Sequence, residues 1–350
     1  MSRYLFFFAT NKPDGGKNSH ILQLRKKSEM LINLLLLTAG FIALVYGANK
    51  MVDAASDLAL RLNVPKIVIG LTIIAFGTSA PELAVNVLAA VKQNPEIALG
   101  NVIGSNILNI LLILGLAAFI TPLSVKTNTT WIEIPLALLA ALLVLASISE
   151  QWLGQAGEAA LISRTDGLFL LAFFIIFLVY NFQLARQGSI DDLGIETKLY
   201  PLPKAILFIV LGLGLLLVGG QLIVSNAVVI AQQFGLSERL IGLTEVSIGT
   251  SLPELATSVA AARKKSVDLA IGNIVGSNIF NVFLVLGLSA LITPIPVSPE
   301  ALLDVLVSIL ASALLFFFLF TGKGRQLERL EGGIFLFIYA AYLGFLIFYR

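Results

Sequence analysis

The chain contains no cysteine and a single histidine, His20. Without thiols there is no disulfide framework, no thiolate nucleophile and no sulfur-ligated metal. One imidazole is too few for a histidine-rich zinc site, and its place in a polar N-terminal stretch, away from the apolar spans, speaks against a Ser-His-Asp arrangement. Charge is scarce as well: Asp, Glu, Lys and Arg make up 13% of the 350 residues, about half of what a soluble domain carries. The formal net charge of +2 offers no electrostatic footprint for a nucleic acid.

Apolar residues, by contrast, fill 57% of the positions. Runs such as Leu31 to Tyr46, Leu168 to Tyr180, Ala205 to Val218 and Leu302 to Phe320 sit within segments that reach the roughly 20 residues a membrane-crossing helix needs. The expected fold is therefore all-α and polytopic, with lipid as the main solvent. Residues 1–30 differ, carrying Arg3, Lys12, Lys17, Arg25, Lys26 and Lys27 around an apolar run, Leu5 to Ala9, too short to span. No small-residue cleavage site follows that run. Met30 immediately precedes the first full apolar segment, so residues 1–30 are expected to be an extension, either disordered or upstream of the true start.

The chain is written twice. Residues 70–123 align with residues 242–295 without a gap at an offset of 172, with 30 of the 54 positions identical. The same offset brings the preceding segments, 31–52 and 203–224, into register. Ten spans follow, near 31–52, 66–92, 96–120, 131–149 and 166–186, then 203–232, 238–263, 267–293, 300–321 and 331–349. They divide into a first five-helix repeat (31–186), a polar linker (187–202) and a second five-helix repeat (203–350). Because five is odd, the second copy enters the bilayer from the opposite side, giving inverted-topology repeats of the kind that place a binding site at mid-membrane. Lys and Arg concentrate in the loops after the odd-numbered spans, which puts the linker in the cytoplasm and both termini outside. The expected location is the plasma membrane, the inner membrane of the cell. The sequence gives no reading of oligomeric state.

Chemistry is concentrated in two pairs of blocks. Gly77-Thr78-Ser79-Ala80-Pro81-Glu82 and Gly249-Thr250-Ser251-Leu252-Pro253-Glu254 each set two hydroxyls, a proline and a carboxylate inside an apolar span. Proline removes a backbone donor, so a break or unwinding is expected there, with carbonyl oxygens released toward protein, water or an ion. Thr78 and Ser79 lie four and three residues before Glu82 and share its helix face. A carboxylate in a span costs about 2.5 to 3.5 kcal/mol on insertion scales, and two placed symmetrically, without a basic neighbour, call for a cation. The second blocks, Gly100-Asn101-Val102-Ile103-Gly104-Ser105-Asn106-Ile107-Leu108-Asn109 and Gly272-Asn273-Ile274-Val275-Gly276-Ser277-Asn278-Ile279-Phe280-Asn281, put Ser105 with Asn109, and Ser277 with Asn281, one turn apart. Asn101, Asn106, Asn273 and Asn278 are open between ligand and interhelical scaffold. Carboxylates, amides, hydroxyls and carbonyls without sulfur or imidazole form a hard-oxygen set suited to calcium and to sodium, which is close to it in size. Glu245 breaks the repeat, its counterpart being Ile73; an aqueous vestibule and an interfacial position remain open for it. Glu133 and Asp304, near helix starts, are expected to be interfacial end charges.

The paired GTSxPEL and GNxxGSNIxN blocks resemble the α-repeats of the cation/calcium exchanger superfamily, in particular its sodium/calcium exchangers of prokaryotic type, over essentially residues 31–350. The resemblance implies an antiporter, not an enzyme, that exchanges Ca²⁺ for Na⁺ by alternating access, with no cofactor, spans 2, 3, 7 and 8 as the ion core and spans 1 and 6 as a sliding pair. It implies Glu82 and Glu254 as the carboxylates, side-chain oxygens from Thr78, Ser79, Ser105, Asn109, Thr250, Ser251, Ser277 and Asn281, and main-chain carbonyls near Ala75 and Ser247. Some relatives carry aspartate at one of the positions held here by Asn109 and Asn281. Proton/calcium members tend to carry an acidic residue where this chain has Gly104 and Gly276, which favours sodium over H⁺. A proton/calcium antiporter of the same fold is the alternative. A channel and an intramembrane serine enzyme compete from other classes; the latter lacks a base near Ser79 or Ser251.

Overall fold

The computed structural model describes residues 17–93, 96–149, 161–187, 200–233, 249–321 and 324–349. Helix α1 (Lys17–Leu62) is followed by α2 (Lys66–Thr78), α3 (Ala80–Val91), α4 (Ile97–Ile120), α5 (Thr129–Ile148) and α6 (Arg164–Arg186). The second half holds α7 (Leu202–Gln233), α8 (Leu252–Arg263), α9 (Val267–Ile292), α10 (Ala301–Phe318) and α11 (Arg329–Tyr349). Among the described residues, eight helices are long and apolar enough to cross a membrane, and α2 with α3 makes a ninth, bent by 47°. The remaining expected span, 238–263, is described from residue 249 onward. α1 begins at Lys17, so the described part of the N-terminal stretch continues the first span as helix.

The helices are apolar nearly all round, so burial rather than amphipathicity separates inner from outer ones. The apolar stretches of α4 and α9 are 72% and 83% buried, whereas those of α1 and α11 are 17% buried. α4 and α9 thus form the centre, and α1, α7 and α11 face lipid. Two apolar clusters organise the packing. One joins α4 and α9 to α5, α6, α10 and α11, with Phe177, Phe283 and Phe335 fully buried. The other joins α1 and α7 to α2 and α8 through Met51, Ala55, Ile74, Leu216 and Ala261.

The duplication is visible in the packing. A Cβ on Gly40 would lie 2.9 Å from the Gly219 carbonyl oxygen, and one on Gly212 would lie 2.9 Å from that of Gly47. Gly212 and Gly219 are the copies of Gly40 and Gly47 at the 172-residue offset, so each contact is the image of the other under a two-fold exchange of the halves. Only glycine permits this approach; where lipid removes the hydrophobic drive between helices, such close backbone packing holds them together. Two short ribbons, absent from the sequence expectation, obey the same exchange. β1 (Leu123–Ser124) pairs antiparallel with β4 (Gln326–Leu327), and β2 (Leu161–Ile162) pairs antiparallel with β3 (Ile295–Pro296). Each half closes its fourth and fifth helices against a strand of the other half.

Candidate cation site

The first proline block positions its carboxylate through a 47° bend between α2 and α3, and the second places its carboxylate in the first turn of α8. At Ser79 the backbone turns to φ −84°, ψ 6° and α3 begins at the next residue, with Pro81 in its first turn. Ser251, at φ −91°, ψ 5°, begins α8 in the same way, with Pro253 in its first turn. The expected break occurs at Ser79, where the helix bends by 47°, and two bonds flank it, the Ser79 N–H to the Ala75 carbonyl (2.9 Å) and the Leu83 N–H to the Ser79 carbonyl (3.1 Å). The Ala75 carbonyl, expected to be free, also accepts the Thr78 hydroxyl at 3.4 Å. Proline has removed one donor without dissolving the helix.

Ser79 and Ser251 occupy N-cap positions, where hydroxyls ordinarily bond to their own helix. Neither does so. The Ser79 hydroxyl donates to Glu254 Oε1 at 3.0 Å, and the Ser251 hydroxyl donates to Glu82 Oε1 at 3.3 Å. The carboxylates are exchanged between the halves, each held by the other repeat's serine, and both glutamates are fully buried. Ser277 adds a third hydroxyl, donating to Glu254 Oε1 at 3.4 Å. The described ion pairs, Lys126 with Asp268 and Lys264 with Asp53, leave both glutamates without a basic partner.

Among the described residues, the buried oxygens without a hydrogen-bond partner include Glu82 Oε2, Glu254 Oε2, Ser105 Oγ, Asn109 Oδ1 and Asn281 Oδ1. Buried polar atoms are nearly always paired, so five unpaired oxygens gathered on α3, α4, α8 and α9 constitute a place for a ligand that accepts lone pairs. The donor set is two carboxylates, one hydroxyl and two amides, oxygens throughout, and it fits a hard cation. Asn109 and Asn281 stand at the second and first positions of the π-helical segments Leu108–Leu114 and Asn281–Leu286, wide turns that recur at functional positions.

The two threonines stand beside the carboxylates, Thr78 by Glu254 and Thr250 by Glu82, and also bond away from them. Thr78 donates to Asn273 Oδ1 at 3.1 Å, and Asn273 in turn donates to Ser258 at 2.9 Å. Across the two-fold, Thr250 donates to Asn101 Oδ1 at 3.4 Å, and Asn101 donates to Asn86 Oδ1 at 3.2 Å. Asn101 and Asn273 therefore sit in relays of side-chain hydrogen bonds, and Asn86 and Ser258 are functional neighbours that sequence reasoning missed. The signal was available, since both stand four residues beyond a glutamate and are counterparts in the repeat. Ser247 and Glu245 lie outside the described residues. Glu133, expected to be an interfacial end charge, lies in the opening turns of α5, is fully buried within the protein and accepts the Tyr180 hydroxyl. Asp304 is half-buried and accepts the Tyr342 hydroxyl at 2.7 Å.

The sequence profile of the family described as sodium/calcium exchanger protein matches residues 32–183 and 204–348, both halves of the duplication. The chain belongs to the sodium/calcium exchanger family. It is a multi-pass membrane transporter rather than an enzyme, and its activity is cation exchange involving calcium. Among relatives of this exchanger, the inner membrane protein YrbG of Escherichia coli is 42% identical over 78% of this chain and 83% of its own. The sodium/calcium exchanger MaX1 of Methanosarcina acetivorans is 32% identical over 89% of this chain and 97% of its own. The solved structure of the sodium-calcium exchanger NCX_Mj, soaked with sodium and without calcium, superposes with a TM-score of 0.75 at 32% identity, covering 92% of this chain and all of that one.

Proposed function

We propose that this exchanger moves Ca²⁺ in one direction and Na⁺ in the other by alternating access, both ions using the oxygen cluster around Glu82 and Glu254. The observation that carries the reading is the set of buried oxygens on four elements, contributed by both repeats, that have no hydrogen-bond partner and no basic neighbour among the described residues. Two uncompensated buried carboxylates are costly. One divalent ion or monovalent ions entering the same cluster offset that cost, which makes occupancy by the two kinds of ion mutually exclusive. The ligands are Glu82, Glu254, Ser105, Asn109 and Asn281 directly, with Ser79, Ser251 and Ser277 orienting the carboxylates and with Thr78, Thr250 and the carbonyls of Ala75 and Ser247 completing the set as conformations change.

Sodium is favoured over protons by packing at Gly276. A Cβ there would lie 2.8 Å from Ala75 Cβ and 2.9 Å from Leu71 Cα and O. The position cannot hold the acidic side chain expected of proton-coupled relatives. Alternating access is supported by the division into two apolar clusters: α1 and α7 pack on each other and lie against α2 and α8 as a separate layer, so that they can slide while the core keeps its internal contacts. The termini face outward and the linker lies in the cytoplasm of a cell whose inner membrane holds the protein. Equilibrium calcium binding to purified protein tests the shared site. Na⁺ should displace Ca²⁺ completely and K⁺ should not; calcium binding indifferent to sodium would rule the reading out.

A further inference from the structure

Asn106 and Asn278 are buried beside the cluster, but neither has an oxygen to spare for a cation. The Asn106 side-chain amide donates to the Asn278 main-chain carbonyl at 3.2 Å, and the Asn278 side-chain amide donates to the Asn106 main-chain carbonyl at 3.3 Å. A main-chain carbonyl can only accept, so these two bonds fix which end of each amide is nitrogen. Each Oδ1 is thereby turned to the other partner: Asn106 Oδ1 accepts from Asn281 Nδ2 at 3.1 Å, and Asn278 Oδ1 accepts from Asn109 Nδ2 at 2.9 Å. With their nitrogens held, Asn281 and Asn109 must present their Oδ1 atoms elsewhere, and those are the two unpartnered amide oxygens of the cluster.

We propose that Asn106 and Asn278 are positioning residues that fix the amide orientation of the opposite repeat's ligand, Asn106 acting on Asn281 and Asn278 on Asn109. This rests on the reading of Asn109 and Asn281 as cation ligands. An amide turned the other way would aim an NH₂ group at a divalent ion, replacing attraction with repulsion. Both positioning amides span the interface of the halves, so the orientation of a ligand on α9 is set by a residue on α4 and the reverse. All four side chains are buried, so water is not at hand to satisfy a reversed amide. Loss of such a supporting partner typically costs about 10- to 100-fold in metal affinity.

Calcium self-exchange in proteoliposomes, which needs neither a sodium nor a proton gradient, reads the effect. Asn106→Ala should raise the calcium KM on the order of tenfold with kcat little changed. The factor should vanish when Asn281 is already alanine, and persist in full when Asn109 is alanine instead. Asn278→Ala should show the mirror pattern. If Asn106→Ala does not yield folded protein, Asn106→Ser takes its place, since it keeps a polar group at the buried interface but is too short to hold Asn281. An equal factor in the Asn281→Ala and Asn109→Ala backgrounds would overturn the assignment and leave a merely structural role. An Asn281→Ala protein with unchanged calcium KM would be a different failure, removing the ligand reading and the orientation argument together.

Discussion

Replacing Glu82 or Glu254 by glutamine isolates charge from shape. Glutamine keeps an oxygen able to accept Ser251 in the first case, or Ser79 and Ser277 in the second. What disappears is one unit of negative charge at a fully buried position. At an effective dielectric constant of about 20 and a charge separation of about 3.5 Å, one carboxylate attracts a divalent ion by on the order of 9 kcal/mol and a monovalent ion by half that. The smaller desolvation cost of the neutral side chain returns part of the loss. A net penalty of about 4 kcal/mol is then expected for calcium, roughly 1,000-fold in affinity. Because the Coulomb attraction scales with ion charge whereas the side-chain desolvation return does not, sodium should lose far less affinity than calcium. Calcium binding and calcium self-exchange, measured beside sodium binding on the same preparations, give both losses. Folded Glu82→Gln or Glu254→Gln protein carrying calcium at near wild-type rates would refute the reasoning, and so would equal losses for the two ions.

Other substitutions separate packing from ion handling. Gly276→Ala should destabilise the fold by about 1 to 3 kcal/mol, seen as a lowered Tm in detergent, because its methyl meets Ala75 and the backbone of Leu71; unchanged stability would contradict the close approach of α9 to α2. Glu133→Gln should retain both fold and calcium exchange, since an acceptor for Tyr180 remains. Glu133→Ala should cost about 1 to 3 kcal/mol by leaving the Tyr180 hydroxyl unpaired, again with exchange retained in the folded fraction; abolished exchange in folded Glu133→Gln would place Glu133 in the transport machinery. Lys264→Ala should change stability by less than about 1 kcal/mol, because its 2.6 Å pair with Asp53 joins two partly exposed side chains.

Much of this architecture is legible in the sequence because duplication and lipid both leave strong marks there. The 172-residue offset predicts that Glu82 and Glu254 are counterparts, and the structure brings both to one buried cluster. The crossing of the hydroxyls is not legible. Helical spacing places Ser79 on the face of Glu82, yet its hydroxyl goes to Glu254, a choice set by the packing of two bent helices rather than by either sequence block. The proline signal is legible as the break at Ser79 with its 47° bend, but the bonds of Ser79 and Leu83 that flank the break are not. The burial of Glu133 is not legible either, because proximity to a helix start says nothing about packing when the helix is apolar on every side, and only its tertiary partner Tyr180 reveals it. The two-residue strands are too short to leave any pattern.

The exchange itself is tested most directly in proteoliposomes loaded with Na⁺ and diluted into sodium-free medium containing labelled Ca²⁺. Internal and external pH are held equal, and ionophores clamp the membrane potential at zero. Calcium should accumulate only while the outward sodium gradient lasts, and replacing internal Na⁺ with K⁺ should abolish the uptake. Uptake that ignores sodium and follows an imposed proton gradient instead would contradict sodium-coupled exchange at the Glu82 and Glu254 cluster.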